Sequence, residues 1–328
     1  MKTNIDSKIG QYFSNVSLKL YSPPARHLVH LYADYVELIS LFSNSDFVTA
    51  SDIADRFKDE GILTKKKEDS EQAEGNDKNE QWINEIFQVL EERSFLYLSD
   101  YPFKLYGNSR IQLIPQPDLN NRHKLYIFLL LSSCLYQFGD FEPELTSEFE
   151  YVCHQALLKY MPSHAVVKSL GKNSEYSGTA KEKIRLLAKE LKVEVNDDFL
   201  NKISTQGNQE RGLDLIGWIP FDDNVPNHFS ILSQCACGKE WYKKLAETRR
   251  YENYYNFYCV KPLHALFIPY SLINYQNSDF YQADEISIPT LLFERKRILN
   301  YISDTSFFVS LSSKQLVDKC IEYEEDIV

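Results

Sequence analysis

The chain has 328 residues, with 47 acidic against 36 basic side chains, a formal net charge of −11, and 43% hydrophobic and 14% aromatic residues. That apolar fraction excludes a disordered chain or a simple fibre, and at roughly 150 residues per domain the length points to about two domains. The acidic balance excludes a uniformly basic nucleic-acid coat but not a local basic surface.

Met1–Leu20 lacks the basic, apolar and small-residue pattern of a secretory signal, so a cytoplasmic location is expected. Arg26–Phe42 carries Leu28, Leu31, Tyr35, Leu38 and Leu41 at helical spacing. Thr49, with Asp52 three residues on, has the spacing of a capping box that opens a second helix. Residues 65–81 hold no apolar residue but Ala73 and are expected to form a disordered or solvated loop. A third helix is expected from Trp82 to near Arg93, with Ile83, Ile86, Phe87 and Leu90 on one stripe, exposing Glu85, Glu91 and Glu92. The following β-prone runs, broken by Pro102 and by Gly107–Asn108, predict a hairpin. Helix, helix, long loop, helix, hairpin is the order of a winged helix, so residues 1–120 are expected to form a winged-helix-like domain. Its third helix offers Arg93 as its single cation, poor chemistry for phosphate contact, and an interaction or dimerisation role competes with DNA contact.

From residue 121 the character changes. The longest apolar run, Leu125–Phe138, is shorter than the roughly 20 residues a helix needs to span a bilayer and predicts a buried helix. Further helices are expected over Phe149–Tyr160 and Ala180–Lys192, the latter with Ile184, Leu187, Ala188 and Leu191 on one face. Strands are expected from Gly212 and from Phe229, then a helix after Gly238, strands around His264–Leu272 and Ile286–Phe293, and a closing helix over Phe293–Ile302. This order indicates an α+β chain whose second part, residues 121–328, is an α/β/α sandwich.

The polar residues Asp214 and Gln234 each interrupt an apolar strand, which is costly without partners and tolerated where oxygen ligands converge on a divalent metal. Phe149–Glu150 at a helix start, Gly212-Leu213-Asp214-Leu215-Ile216 and Gln234 in Gln-Cys-Ala-Cys together resemble the PD-(D/E)xK, or restriction-endonuclease-like, family in its Mrr-like branch. The resemblance covers roughly residues 145–300. It implies a Mg²⁺-dependent (or Mn²⁺-dependent) nucleic-acid endonuclease, with DNA as substrate and a place in prokaryotic defence against foreign DNA. Asp214, Gln234 and a helix carboxylate, Glu150 or its rival Glu182, would hold the metal. Where the family has its lysine this chain has Ala236, so the resemblance implies either a migrated lysine, Lys244 before Lys239 or Lys243, or a non-catalytic subunit that binds DNA or a protein partner.

Lys239, Lys243, Arg249 and Arg250, with Arg295–Arg297, could line a DNA channel, and Tyr251, Tyr254 and Tyr255 could stack on bases or pack a core. Six cysteines are too sparse for a disulfide framework and are expected reduced. Cys235, Cys237, Cys259 and His264 could be imagined as a zinc set, but the single residue between the first two falls outside the usual knuckle spacing. No phosphate loop, HExxH or Gly-x-Ser-x-Gly pattern is present. No membrane association is expected, while protein partners in a defence complex and self-association stay open.

Overall fold

The computed structural model describes residues 5–63, 69–203, 211–221 and 223–324. The chain forms two compact units: one of residues up to Glu144 with Tyr270–Gln282 and the stretch from Asp304, the other Leu145–Pro269 with Ala283–Ser303. The expected division at residue 120 is a single cut, whereas these units interleave along the chain.

In the first unit α1 (Ile5–Phe13), α2 (Val29–Phe42), β1 (Val48–Thr49), α3 (Ala50–Asp59), α4 (Asp69–Tyr97), β2 (Phe103–Leu105), β3 (Arg110–Leu113) and α5 (Asn121–Ser133) follow one another. Thr49 caps α3 as its spacing predicts: the Asp52 N–H donates to Thr49 Oγ1 (3.2 Å) and the Thr49 N–H to Asp52 Oδ2 (2.8 Å). The predicted hairpin forms by antiparallel pairing of Phe103 with Leu113 and Leu105 with Ile111, and β1 adds Val48 opposite Ile111. Two elements absent from the sequence reading, α1 and a helix over Ser313–Glu322, belong to this unit.

The expected loop of residues 65–81 is corrected: from Asp69 onward the backbone is helical and continuous with the apolar stripe at Trp82, and residues 64–68 lie outside the described residues. Glu, Gln, Ala and Lys are strong helix formers, and adding residues to a helix already anchored by packing avoids the cost of nucleation. The helix also runs past Arg93 to Tyr97. Glu92 and Arg93, expected at the surface, are 9% and 2% exposed. The Arg93 guanidinium lies 2.8 Å from Asp34 and 2.9 Å from Glu37, both on α2, and donates to the His30 carbonyl (2.8 Å). Glu37 also accepts from Tyr101 and Tyr126, and Asp34 from Ser133.

The second unit is a mixed five-stranded sheet with flanking helices. Helix α6 (Glu142–Tyr160) leads into β4 (Val166–Ser169), α7 (Ala180–Leu191), β5 (Leu215–Trp218), β6 (Ser230–Cys235), β7 (Leu263–Phe267), β8 (Leu291–Phe293) and α8 (Arg295–Tyr301). The strands lie in chain order, with β5 antiparallel to both neighbours and β6, β7 and β8 mutually parallel. Strand β4 has no counterpart in the sequence reading. Alternation sends Ile216 and Trp218 to one face, where they join Ile184, Leu187, Ala188 and Leu191 of α7 in one apolar cluster. On the other face Gly217 admits Met161, at the end of α6: a Cβ there would meet Ile231 Cγ2 at 3.1 Å and Met161 Cε at 3.4 Å. No helix among the described residues is long and apolar enough to cross a membrane.

The expected helix after Gly238 is also corrected. The segment folds as two 3₁₀ turns, Trp241–Lys244 and Glu247–Arg250, before the short helix Tyr251–Tyr254. From Leu245 onward its buried residues Leu245, Thr248, Tyr251 and Tyr254 recur every three positions, the period of a 3₁₀ rather than an α-helix.

Candidate functional site

The register that pairs Leu215 with Ser233 brings Asp214, just before β5, level with Gln234 on β6. The main chain at Asp214 ties three strands together: its N–H donates to the Ser233 carbonyl (3.0 Å), and its carbonyl accepts from Leu170 (2.7 Å) and Gly171 (3.2 Å) after β4. The Asp214 side chain continues the same work, since Oδ2 accepts the Cys235 N–H at 2.7 Å. Gln234 is 8% exposed, and its Oε1 has no hydrogen-bond partner among the described residues.

Glu150 projects from the middle of α6 and is 3% exposed. Its carboxylate accepts the Lys172 N–H at Oε2 (2.9 Å) and the Asn173 N–H at Oε1 (3.0 Å), so a buried charge is offset by two charge-assisted bonds to the turn after β4. Glycine at 171 permits the approach, because a Cβ there would strike the Glu150 carboxylate. Cys153 on α6 and Cys235 on β6 interact with one another and with these acids. Burial above all, with the Asp214 and Glu150 charges adding, pushes both thiols up from their ordinary value, which keeps them protonated.

The other candidate residues do not converge here. Lys239, Lys243 and Lys244 are exposed, and Lys243 pairs with Glu240 on its own turn. Lys172, the lysine whose main chain touches Glu150, directs its ammonium to Thr146. Ala236, where the family lysine would stand, is buried. Glu182 is the capping residue of α7: its Oε2 accepts the Thr179 N–H (2.7 Å) and hydroxyl (2.9 Å), and these bonds lower its pKa. Arg249 donates to the Pro289 carbonyl, and Arg250 pairs with Glu247 at 2.9 Å. Arg295 is fully buried with its Nε on the Pro269 carbonyl, and Arg297 donates to the Leu292 carbonyl, so this pair braces the end of the sheet rather than facing a channel. Tyr251, Tyr254 and Tyr255 belong to the apolar cluster under α7, and Tyr255 donates to the Ile184 carbonyl.

The imagined zinc set is not assembled: Cys259 is exposed, and His264 is engaged elsewhere. Thr248 Oγ1 lies 2.9 Å from His264 Nδ1, and His264 Nε2 lies 3.0 Å from Glu252 Oε1. This has the connectivity of a nucleophile, base and orienting acid, and sequence reasoning missed it because the three residues share no recognisable spacing. Thr248 is 2% exposed, however, and the trio serves as an internal brace between the 3₁₀ turns and β7. All six cysteines are free.

Asp214, Glu150 and Gln234 are hard oxygen donors of the type Mg²⁺ takes. Their arrangement does not fit one, because both Glu150 oxygens and Asp214 Oδ2 are turned onto main-chain N–H groups. Among the described residues no three His, Cys, Asp or Glu side chains are grouped to hold a metal ion. Compared with known proteins, no family model, curated protein or solved structure matches the chain.

Proposed function

We propose that the protein is a nucleic-acid-binding subunit in which a restriction-endonuclease-like domain has turned its catalytic acids to structural use. The fold assignment is supported by the order of parts: a helix bearing Glu150, Asp214 at the start of one strand and Gln234 on the next, within a mixed sheet flanked by helices. The observation that carries the non-catalytic reading is the engagement of Glu150 and Asp214 with the amides of Lys172, Asn173 and Cys235, together with Ala236 at the lysine position. A carboxylate that holds strand ends together is built into the fold before any substrate arrives. Exposed Lys239 and Lys244 supply cations for phosphate contact.

The α2–β1–α3–α4–β2–β3 order supports a winged-helix-like first unit. Its third helix spends Arg93 on Asp34 and Glu37 and exposes Phe95, and Leu98 in the turn that follows is exposed too, so we assign this unit to protein contact rather than base reading. As a non-cutting subunit the chain would present nucleic acid to a catalytic partner in a defence complex.

A nuclease assay with single- and double-stranded DNA and RNA in Mg²⁺ and Mn²⁺, run beside a binding assay, tests the reading. Binding without cleavage is expected. Metal-dependent cutting that Asp214→Ala abolishes would overturn it in favour of the catalytic reading, which one observation favours: the buried, unpartnered Oε1 of Gln234 level with Asp214.

A further inference from the structure

A recess of about 170 Å³ in the second unit is lined by Phe199, Lys202, Arg211, Arg250, Asn253 and Tyr254. Three cations line it, and one of them, Arg250, pairs with Glu247 at 2.9 Å. Two of the three are held in place by neighbours: Arg250 by that carboxylate, and Lys202 by the Phe199 ring, with its ammonium 4.3 Å from the ring centroid. Arg211 makes no ion pair among the described residues. It is held at φ +56°, a left-handed conformation unfavourable for a side chain of this kind, and Gly212 beside it is at φ +83°. Backbone held in this region is a cost that concentrates at ligand contacts. Asp214 follows Arg211 by three residues in the chain.

From this convergence we infer that the recess binds one phosphate group of a single nucleic-acid strand, with Arg211 as its principal contact. The inference deepens the nucleic-acid reading proposed above and rests on it. The volume decides between a whole ligand and part of one: pockets that enclose drug-sized molecules run to roughly 300–1,000 Å³, so this one takes a group of a larger chain. Phe199, 39% exposed at the rim, gives a base next to that phosphate an aromatic surface to lie on.

The test is fluorescence anisotropy of the full chain with a labelled single-stranded oligonucleotide across a salt series. It compares wild type, Arg211→Gln, Lys202→Gln and the exposed control Lys189→Gln, with melting curves to confirm that each variant folds. Each phosphate contact on a single strand contributes about 0.7 to the slope of log affinity against log salt. Arg211→Gln and Lys202→Gln are therefore each expected to weaken binding and to lower that slope by about 0.7. Wild type would then lose about 2.6-fold more affinity than either variant over a fourfold rise in salt. Lys189→Gln is expected to leave the slope unchanged. Wild-type binding with an unchanged slope in both recess variants would overturn the recess while leaving the nucleic-acid reading standing. Absence of any oligonucleotide binding at low salt would overturn that reading, and the recess with it. Inorganic phosphate and a 5′-mononucleotide are titrated separately. Either one binding as tightly as the oligonucleotide would overturn the strand assignment in favour of a free anion.

Discussion

Replacing Glu150 by Gln keeps the shape of the side chain and removes its charge, which separates a structural carboxylate from a catalytic one. In the fold the two oxygens take the Lys172 and Asn173 N–H groups at 2.9 and 3.0 Å. A hydrogen bond to a charged group is worth about 1.5–3 kcal/mol. Glutamine offers one carbonyl and sets an NH₂ group against the second amide, so one bond is lost and the other loses its ionic part, a cost of about 2–4 kcal/mol. At 1.4 kcal/mol per factor of ten, the two amides should exchange with solvent roughly 30- to 700-fold faster if they open through the step that Glu150 opposes. Hydrogen–deuterium exchange of peptides covering Leu170–Ser174 reads this directly, and urea unfolding followed through Trp218 and Trp241 reads the wider effect. Unchanged protection, with equal or greater stability and loss of a metal-dependent cleavage, would refute the reasoning, because a catalytic acid relieved of its buried charge should leave the fold no weaker.

Gly171→Ala should destabilise the second unit by displacing the Glu150 carboxylate, and it should speed exchange at the same amides; exchange as slow as in wild type would show that the turn has room for a Cβ. Arg93→Met leaves Asp34 and Glu37 buried without their cation and should cost about 3–5 kcal/mol in chemical denaturation, with part recovered on adding Glu37→Gln. A loss below about 1 kcal/mol would mean that the two acids do not carry buried charge in the fold. Burial pushes the His30 ring, stacked on Tyr281, down to about 3. The unfolded chain therefore takes this proton first, and stability present above about pH 6.5 is lost as pH falls, by about 2 kcal/mol at pH 5. His30→Phe should flatten that part of the acid melting profile, and identical profiles for the two proteins would refute the assignment.

Periodicity carried the helices whose apolar faces are buried. Ile184, Leu187, Ala188 and Leu191 sit in the core as their spacing predicts, and the Thr49–Asp52 cap and the hairpin after α4 form as expected. It failed where burial gives no periodic signal. Residues 69–81 have helical propensity without an apolar face, β4 is only four residues long, and the segment after Gly238 buries every third residue from Leu245 to Tyr254 instead of following a helical period. Asp214 and Gln234 were legible as polar interruptions of two apolar strands, whereas alternation fixes only the face of a strand, so that they stand level comes from the register. What their side chains do was not legible, since the amides that Asp214 and Glu150 hold come from Cys235 and from a turn after a strand the sequence did not disclose. The recess formed by Lys202, Arg211 and Arg250 was hidden for a similar reason, as its cations come from separate segments.

The interleaving of the two units sets a schedule for their formation on the ribosome. The first unit draws core residues from the far end of the chain: Phe308, Leu316, Val317 and Cys320 are buried, Tyr97 hydrogen-bonds Ser271, and Lys124 pairs with Asp318. After Glu144 has been made, about 180 further residues must follow before Glu322 is available, which at 5–20 residues per second is roughly 10–35 s. Throughout that interval α2 and α5, whose apolar residues are mostly buried in the fold, lack the helix over Ser313–Glu322 that packs on them. The nascent chain is then a client for chaperones that shield exposed apolar segments, while the second unit, lacking only Ala283–Ser303 after Pro269, needs a far shorter wait.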